Sequence, residues 1–218
     1  MKRIALISCL DKDFDKKLIS AFVREGFSVF AIGEKPMEGV ILLGADLQKA
    51  AVSFQEKMGE LDFLLDTTDF QNTNDCFTIR DGLQSNIIEQ IYRGNVLRSM
   101  SILEYFLPFL DKGGGKRLFY LTSAKASTNE TRCVSNFAYN MSKAGLHQFL
   151  QMARNKLAPK GYTFRVFDPM YSEVPAEKSA ESAYNYITRR RGTENNDPLR
   201  DDEENLVFRD AQGRQHSW

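Results

Sequence analysis

Only three of the 218 residues are cysteine, at positions 9, 76 and 133, and none stands in a C-x-x-C pair or at zinc-ligand spacing. Such sparse thiols fit a reducing, cytoplasmic compartment better than a disulfide framework, and are expected to be ordinary buried side chains. A surplus of charge is also missing, because 29 Lys and Arg balance 29 Asp and Glu. Without a cationic field, neither nucleic acid nor an anionic membrane is an expected partner. Long apolar runs are absent: after Met1-Lys2-Arg3, only Ile4 to Ile7 are apolar before Ser8, too few for a secretory segment, and no stretch approaches a membrane span. Asp11-x-Asp13-x-Asp15 opens like a calcium loop, but Lys16 replaces the required glycine and Phe22 the bidentate glutamate. No metal is expected there. Internal repeats and low-complexity tracts do not occur.

What the chain does have is an alternation of short apolar runs with longer segments of helical period, the pattern of β-α-β units. Strands are expected at Arg3–Cys9, Phe27–Ile32, Val40–Leu43, Leu61–Asp66, Lys116–Thr122, Tyr162–Phe167 and Leu206–Arg209. Several are apolar throughout, as strands covered on both faces are. The fold class is α/β: a Rossmann-like, doubly wound α/β/α arrangement with a mostly parallel sheet, in one domain over residues 1–218. Two long helices are expected, one marked by Ile87, Ile91, Val96, Met100, Leu103 and Leu107, the other by Phe137, Met141, Ala144, Phe149, Met152 and Leu157. Their apolar excess suggests a homodimer or homotetramer. Residues 175–205 turn polar and charged and read as a substrate-side loop or lid; a last strand and a tail follow over 206–218. Trp218 ends a hydrophilic tail and is expected to dock on a neighbouring subunit. His147 is expected to be structural.

Within the second long helix, Tyr139 and Lys143 lie four positions apart and share a face. Ser123 ends the apolar strand Leu121-Thr122-Ser123, Asn95 precedes Pro108 by 13 positions, and Pro169 follows Lys143 by 26. With these intervals the chain resembles the short-chain dehydrogenases/reductases from its first strand to about Val174. The resemblance implies an NAD(P)-dependent oxidoreductase acting on a carbonyl or alcohol group of a small-molecule substrate. It implies that Tyr139 is the general acid or base, that Lys143 lowers its pKa and holds the nicotinamide ribose, that Ser123 bonds the reacting oxygen, and that Asn95 holds a proton-relaying water. It also implies NAD or NADP contacts from Ser8, Asp13, Phe14, Glu34, Lys35, Asp46, Leu47, Pro169, Met170 and Ser172.

The chain departs from this family where phosphates are normally held. The family's T-G-x-x-x-G-x-G falls on Ser8, Cys9, Asp13 and Asp15, so all three glycines that allow close backbone approach to a pyrophosphate are replaced. A carboxylate a few ångströms from a phosphate is repelled by about 4 kcal/mol at an effective dielectric near 20. The same acids suit a helix N-terminus, which suggests that Asp13 or Asp15 satisfies the amides a dinucleotide normally uses. The family's N-N-A-G reads Asp66-Thr67-Thr68-Asp69, placing two more acids beside the cleft. Met170 replaces the glycine of a Pro-Gly turn, Val174 stands at a usual threonine, and Asn129–Arg132 lengthen the Ser-to-Tyr interval to 16. Two functions from different classes follow: an oxidoreductase with a weakened dinucleotide site, or a non-catalytic binding or regulatory protein on the same fold.

Overall fold

The computed structural model describes residues 3–8, 12–82, 84–189 and 201–218. The apolar runs form strands β1 (Ile4–Ile7), β2 (Ser28–Ala31), β3 (Val40–Leu42), β4 (Phe63–Asp66), β5 (Arg117–Leu121), β6 (Thr163–Asp168) and β7 (Phe208–Asp210), with a short β8 (Gln215–His216). Helices α1 (Asp13–Arg24), α2 (Leu47–Lys57), α3 (Ser85–Tyr92), α4 (Arg98–Leu110), α5 (Phe137–Leu157), α6 (Ala176–Thr188) and α7 (Asp201–Glu204) lie between them. One sheet results, ordered β3-β2-β1-β4-β5-β6-β7-β8, with all neighbours parallel except β7 and β8. Strand order reverses direction beside β1. In open sheets of this kind, ligands sit at the carboxyl ends of the strands near that point.

Alternation along each strand divides the core between two faces, because successive side chains point to opposite sides. Ile4 and Leu6 face the layer of α2, α4 and α5, where Phe54 packs edge-on against Phe30 and Phe109 with ring centroids 4.9 and 5.1 Å apart. Ala5 and Ile7 face α1 and α6, among Phe14, Leu18, Phe22, Ala183 and Ile187. Each fully buried Phe or Leu in these layers contributes roughly 1.5–3 kcal/mol over exposure. At the start of α1 the Asp15 side chain, itself fully buried, accepts the Lys12 backbone N–H at 3.0 Å. That contact closes the helix end internally.

Several expectations are corrected. The 175–205 segment is not simply a polar lid: α6 packs against α1 through buried Ser179, Ala180, Ala183, Tyr186 and Ile187. Residues 190–200 lie outside the described residues. Nor is the acidic run 201–204 a solvated loop, since Glu203 pairs with Arg165 and, at 3.0 Å, with Arg117, while buried Asp202 holds Arg209 at 2.7 Å. Charges with partners can be buried where solitary ones cannot. Trp218 docks on its own chain, its ring centroid 4.7 Å from that of His147 and 5.9 Å from that of Phe208. Cys76 and Cys133 are exposed rather than buried; Cys9 lies outside the described residues. Among the described residues, no helix is long and apolar enough to cross a membrane.

Candidate functional site

Asp69, just past the carboxyl end of β4, is the centre of the site. Its side chain is 2% exposed and meets the ammonium of Lys12, the ammonium of Lys143 at 3.2 Å, and the Tyr139 hydroxyl, which donates to Oδ1 at 2.7 Å. Burial alone would raise the Asp69 pKa, but the charges of Lys143 and Lys12 and the hydrogen bonds from Lys12 and Tyr139 hold it well below the usual carboxylate range. Lys143 is fully buried and also donates to the carbonyls of Thr68 at 3.0 Å and Leu121 at 3.2 Å. Lys12 completes the cluster by resting its ammonium 4.3 Å from the centre of the Tyr171 ring.

The expected lowering of the Tyr139 pKa is not found. Burial, then the Asp69 charge and its hydrogen bond, push the Tyr139 phenol well above its ordinary value near 10. Lys143 cannot counter this because Asp69 lies against it. Tyr139 itself is aimed by Asp75, which accepts the backbone N–H groups of Ala138 and Tyr139 at 3.2 and 2.8 Å and so caps the first turn of α5.

Asn95 is fully buried in a π-helical turn, Arg93–Leu97, that joins α3 to α4 and makes the expected single long helix a jointed one. Its side chain accepts the Phe70 N–H at 2.7 Å and donates to the Phe70 carbonyl and the Ser142 hydroxyl, each at 2.9 Å. Asn95 therefore fixes the segment that follows Asp69. Gly94 allows this approach, as a Cβ there would lie 2.8 Å from the Phe70 ring.

On the other side of Tyr139 is an open cavity of about 350 Å³. Tyr139, Ser123 and Asp168 line it, together with Tyr171, Arg214 and His216. Ser123 is half-buried at the end of β5, and its hydroxyl accepts the Lys125 N–H at 3.3 Å. Asp168 accepts the N–H groups of Ala124 and Met170 at 2.7 and 2.8 Å, and burial raises its pKa. His147 sits behind the wall, bonded to Thr122 and lowered by burial and by Lys143 to about 4. The structure thus brings Asn95, Ser123, Tyr139 and Lys143 around one strand end.

The same architecture occurs in solved carbonyl reductases. Carbonyl reductase Sniffer of Drosophila melanogaster superposes with a TM-score of 0.82 at 14% identity over 100% of both chains. The NADPH-bound carbonyl reductase from chicken fatty liver gives 0.79 at 14% identity, over 100% of this chain and 99% of that one. A carbonyl reductase from Pseudomonas aeruginosa in complex with NADP gives 0.77 at 15%, over 99% of this chain and 100% of that one. This is the short-chain dehydrogenase/reductase fold. At the level of sequence, no protein-family model and no curated protein matches the chain.

Several positions expected to contact a dinucleotide have partners within the chain. The Asp69 carboxylate, paired with Lys12 and Lys143 and bonded by the Tyr139 hydroxyl, lies directly beside the candidate catalytic side chains. The expected phosphate contacts are engaged elsewhere. Ser8 donates to Asp66 at 2.6 Å and accepts the Thr67 N–H at 3.0 Å. Asp13 is exposed and pairs with Lys16 at 3.1 Å. Phe14 is buried against Phe167 and Tyr171, with ring centroids 6.3 and 6.0 Å apart. Asp46 caps α2 by accepting the Lys49 N–H at 2.9 Å, and Leu47 packs on the core beside it. Glu34 and Lys35 are exposed after β2. Pro169 is buried, Met170 has a φ of +50°, and Ser172 lines the cavity.

Sequence reasoning placed Asp69 among the acids bordering the cleft but missed its partner Lys12 and the capping role of Asp75. A glycine-to-aspartate exchange three residues past a strand end, with a lysine in the β1–α1 loop, was the available signal.

Proposed function

We propose that this protein is a small-molecule binding protein on the short-chain dehydrogenase/reductase fold, without dinucleotide-dependent turnover. The observation that carries this reading is the Tyr139 hydroxyl donated to Asp69. The phenol keeps its proton at neutral pH, but it directs that proton to Asp69 rather than into the cavity, and its raised pKa makes it a weaker acid toward a carbonyl. The ligand is a polar molecule that fits the cavity beside Tyr139, whose wall offers hydroxyl, carboxylate, guanidinium and imidazole groups in close succession. We further propose a cytoplasmic homodimer or homotetramer, supported by exposed Leu97, Met100, Tyr105, Met141 and Met152 on α4, α5 and the π-helical turn.

A second reading, an NAD(P)-dependent oxidoreductase acting on a carbonyl or alcohol, is favoured by the convergence of Asn95, Ser123, Tyr139 and Lys143. In it, Asp69 and Lys12 leave the site, Tyr139 becomes the proton donor to the substrate oxygen and Ser123 holds that oxygen.

Thermal denaturation with millimolar NADH or NADPH separates the two. A ligand at 100 times its Kd stabilises a protein by about 2.7 kcal/mol. We expect neither cofactor to move the transition; a shift of that size with either one sinks the first reading, and cofactor-dependent carbonyl reduction that is lost in Tyr139→Phe then establishes the second.

A further inference from the structure

The cavity has a titratable clasp on the side away from Tyr139. His216, on β8, lines the cavity and has both ring nitrogens on carboxylates: Nδ1 lies 2.8 Å from Glu130 Oε2 and Nε2 lies 2.9 Å from Asp210 Oδ2. A neutral imidazole has one N–H, so both contacts are hydrogen bonds only when the ring is an imidazolium. The clasp joins three separate pieces of chain. Glu130 belongs to the loop after β5, Asp210 ends β7, and His216 leads to Ser217, whose N–H donates to Glu130 Oε1 at 2.6 Å. Trp218 closes the same seam, its carbonyl accepting the Thr128 hydroxyl at 3.0 Å and the Asn129 amide at 2.8 Å.

We propose that protonation of His216 controls this wall of the cavity, holding the 128–130 loop and the 214–218 tail together when charged and releasing them when neutral. This regulation rests on the reading of the cavity as the ligand site. The charged groups around the ring support the direction. Glu130 and Asp210 attract the imidazolium directly. Arg214 opposes it from the tail but is neutralised by Asp210 at 2.6 Å, and Asp168 adds a further negative charge from β6. The Phe208 ring, 5.0 Å away, contributes no charge. Burial works against the imidazolium, yet the hydrogen bonds and charges of Glu130 and Asp210 outweigh it and raise the His216 pKa above 6.5. A raised folded-state pKa means that the clasp is complete below 6.5 and is lost as pH rises through the folded value.

Trp218 is the only tryptophan and reports directly on the seam. Acrylamide quenching of its fluorescence should increase on the order of twofold as pH rises from 6 to 9, with a midpoint above 6.5. His147, the other histidine, touches the same indole but is lowered to about 4 and titrates outside this window. Glu130→Gln removes one carboxylate and should move the midpoint down, and His216→Phe should leave quenching high and flat. Flat quenching in the unaltered protein from pH 6 to 9, or a midpoint unmoved in Glu130→Gln, overturns the clasp. Those results leave the reading of the cavity standing, because that reading falls only if nicotinamide cofactors bind.

Discussion

At the scale of single residues, Asp69 decides what the neighbouring side chains can do. Two lysines and a tyrosine share one carboxylate, so its removal leaves the fully buried Lys143 ammonium without its counter-charge. Breaking a buried pair from one side typically costs about 3–5 kcal/mol. We expect Asp69→Ala to lose stability of that order in urea unfolding, and a loss below about 1 kcal/mol would show the cluster to be energetically idle. The sign with pH follows from the lowered Asp69 pKa: its stabilisation is present above 3.8, its ordinary value, and is lost as pH falls toward the folded value. Acid unfolding should therefore begin earlier in the unaltered protein than a count of surface carboxylates suggests, and Asp69→Asn should flatten that dependence. Tyr139→Phe removes a hydrogen bond to a charged group, worth roughly 1.5–3 kcal/mol. It should lower the melting temperature, whereas unchanged stability would free Tyr139 for another task.

At the scale of elements, the strands and the two long apolar helices were legible because burial on both faces leaves unbroken apolar runs. The jointed helix was not. A π turn has no signature in periodicity, and only Gly94 beside Asn95 hints at a close approach from outside. Gly94→Ala should force the Phe70 ring away and disturb the Asn95 bonds, costing about 1–3 kcal/mol, as overpacking usually does. Equal stability in that variant would mean that the 70s segment adapts without strain. The buried acids of α7 escaped detection for a related reason. Their partners Arg117, Arg165 and Arg209 are distant in sequence, and composition alone cannot tell a paired Asp202 or Glu203 from a solvated one. The four residues Asn95, Ser123, Tyr139 and Lys143 were found from their intervals. Their surroundings were not, since Asp69 and Lys12 meet across 57 residues of chain.

At the scale of the whole molecule, the expected oligomer has a physical counterpart in the apolar side chains left uncovered on α4 and α5. Sedimentation at micromolar concentration should give twice or four times the 24.9 kDa chain mass. Met141→Glu together with Met152→Glu should reduce it to a monomer that still melts cooperatively, and a wild-type monomer would leave those methionines as ordinary surface. Because the strand ends that carry Asp66, Asp69, Thr122 and Asp168 all open in one direction, assembly through α4 and α5 leaves the cavity reachable.

The engagement of Tyr139 by Asp69, beside a cavity of mixed polar lining, has a practical corollary. On the proposed binding-protein reading, a screen that watches nicotinamide absorbance scores this protein as inactive and discards it. Panels of small organic acids and neutral polyols, tested by heat-shift with no redox partner added, ask the question that the mixed polar lining of the cavity poses.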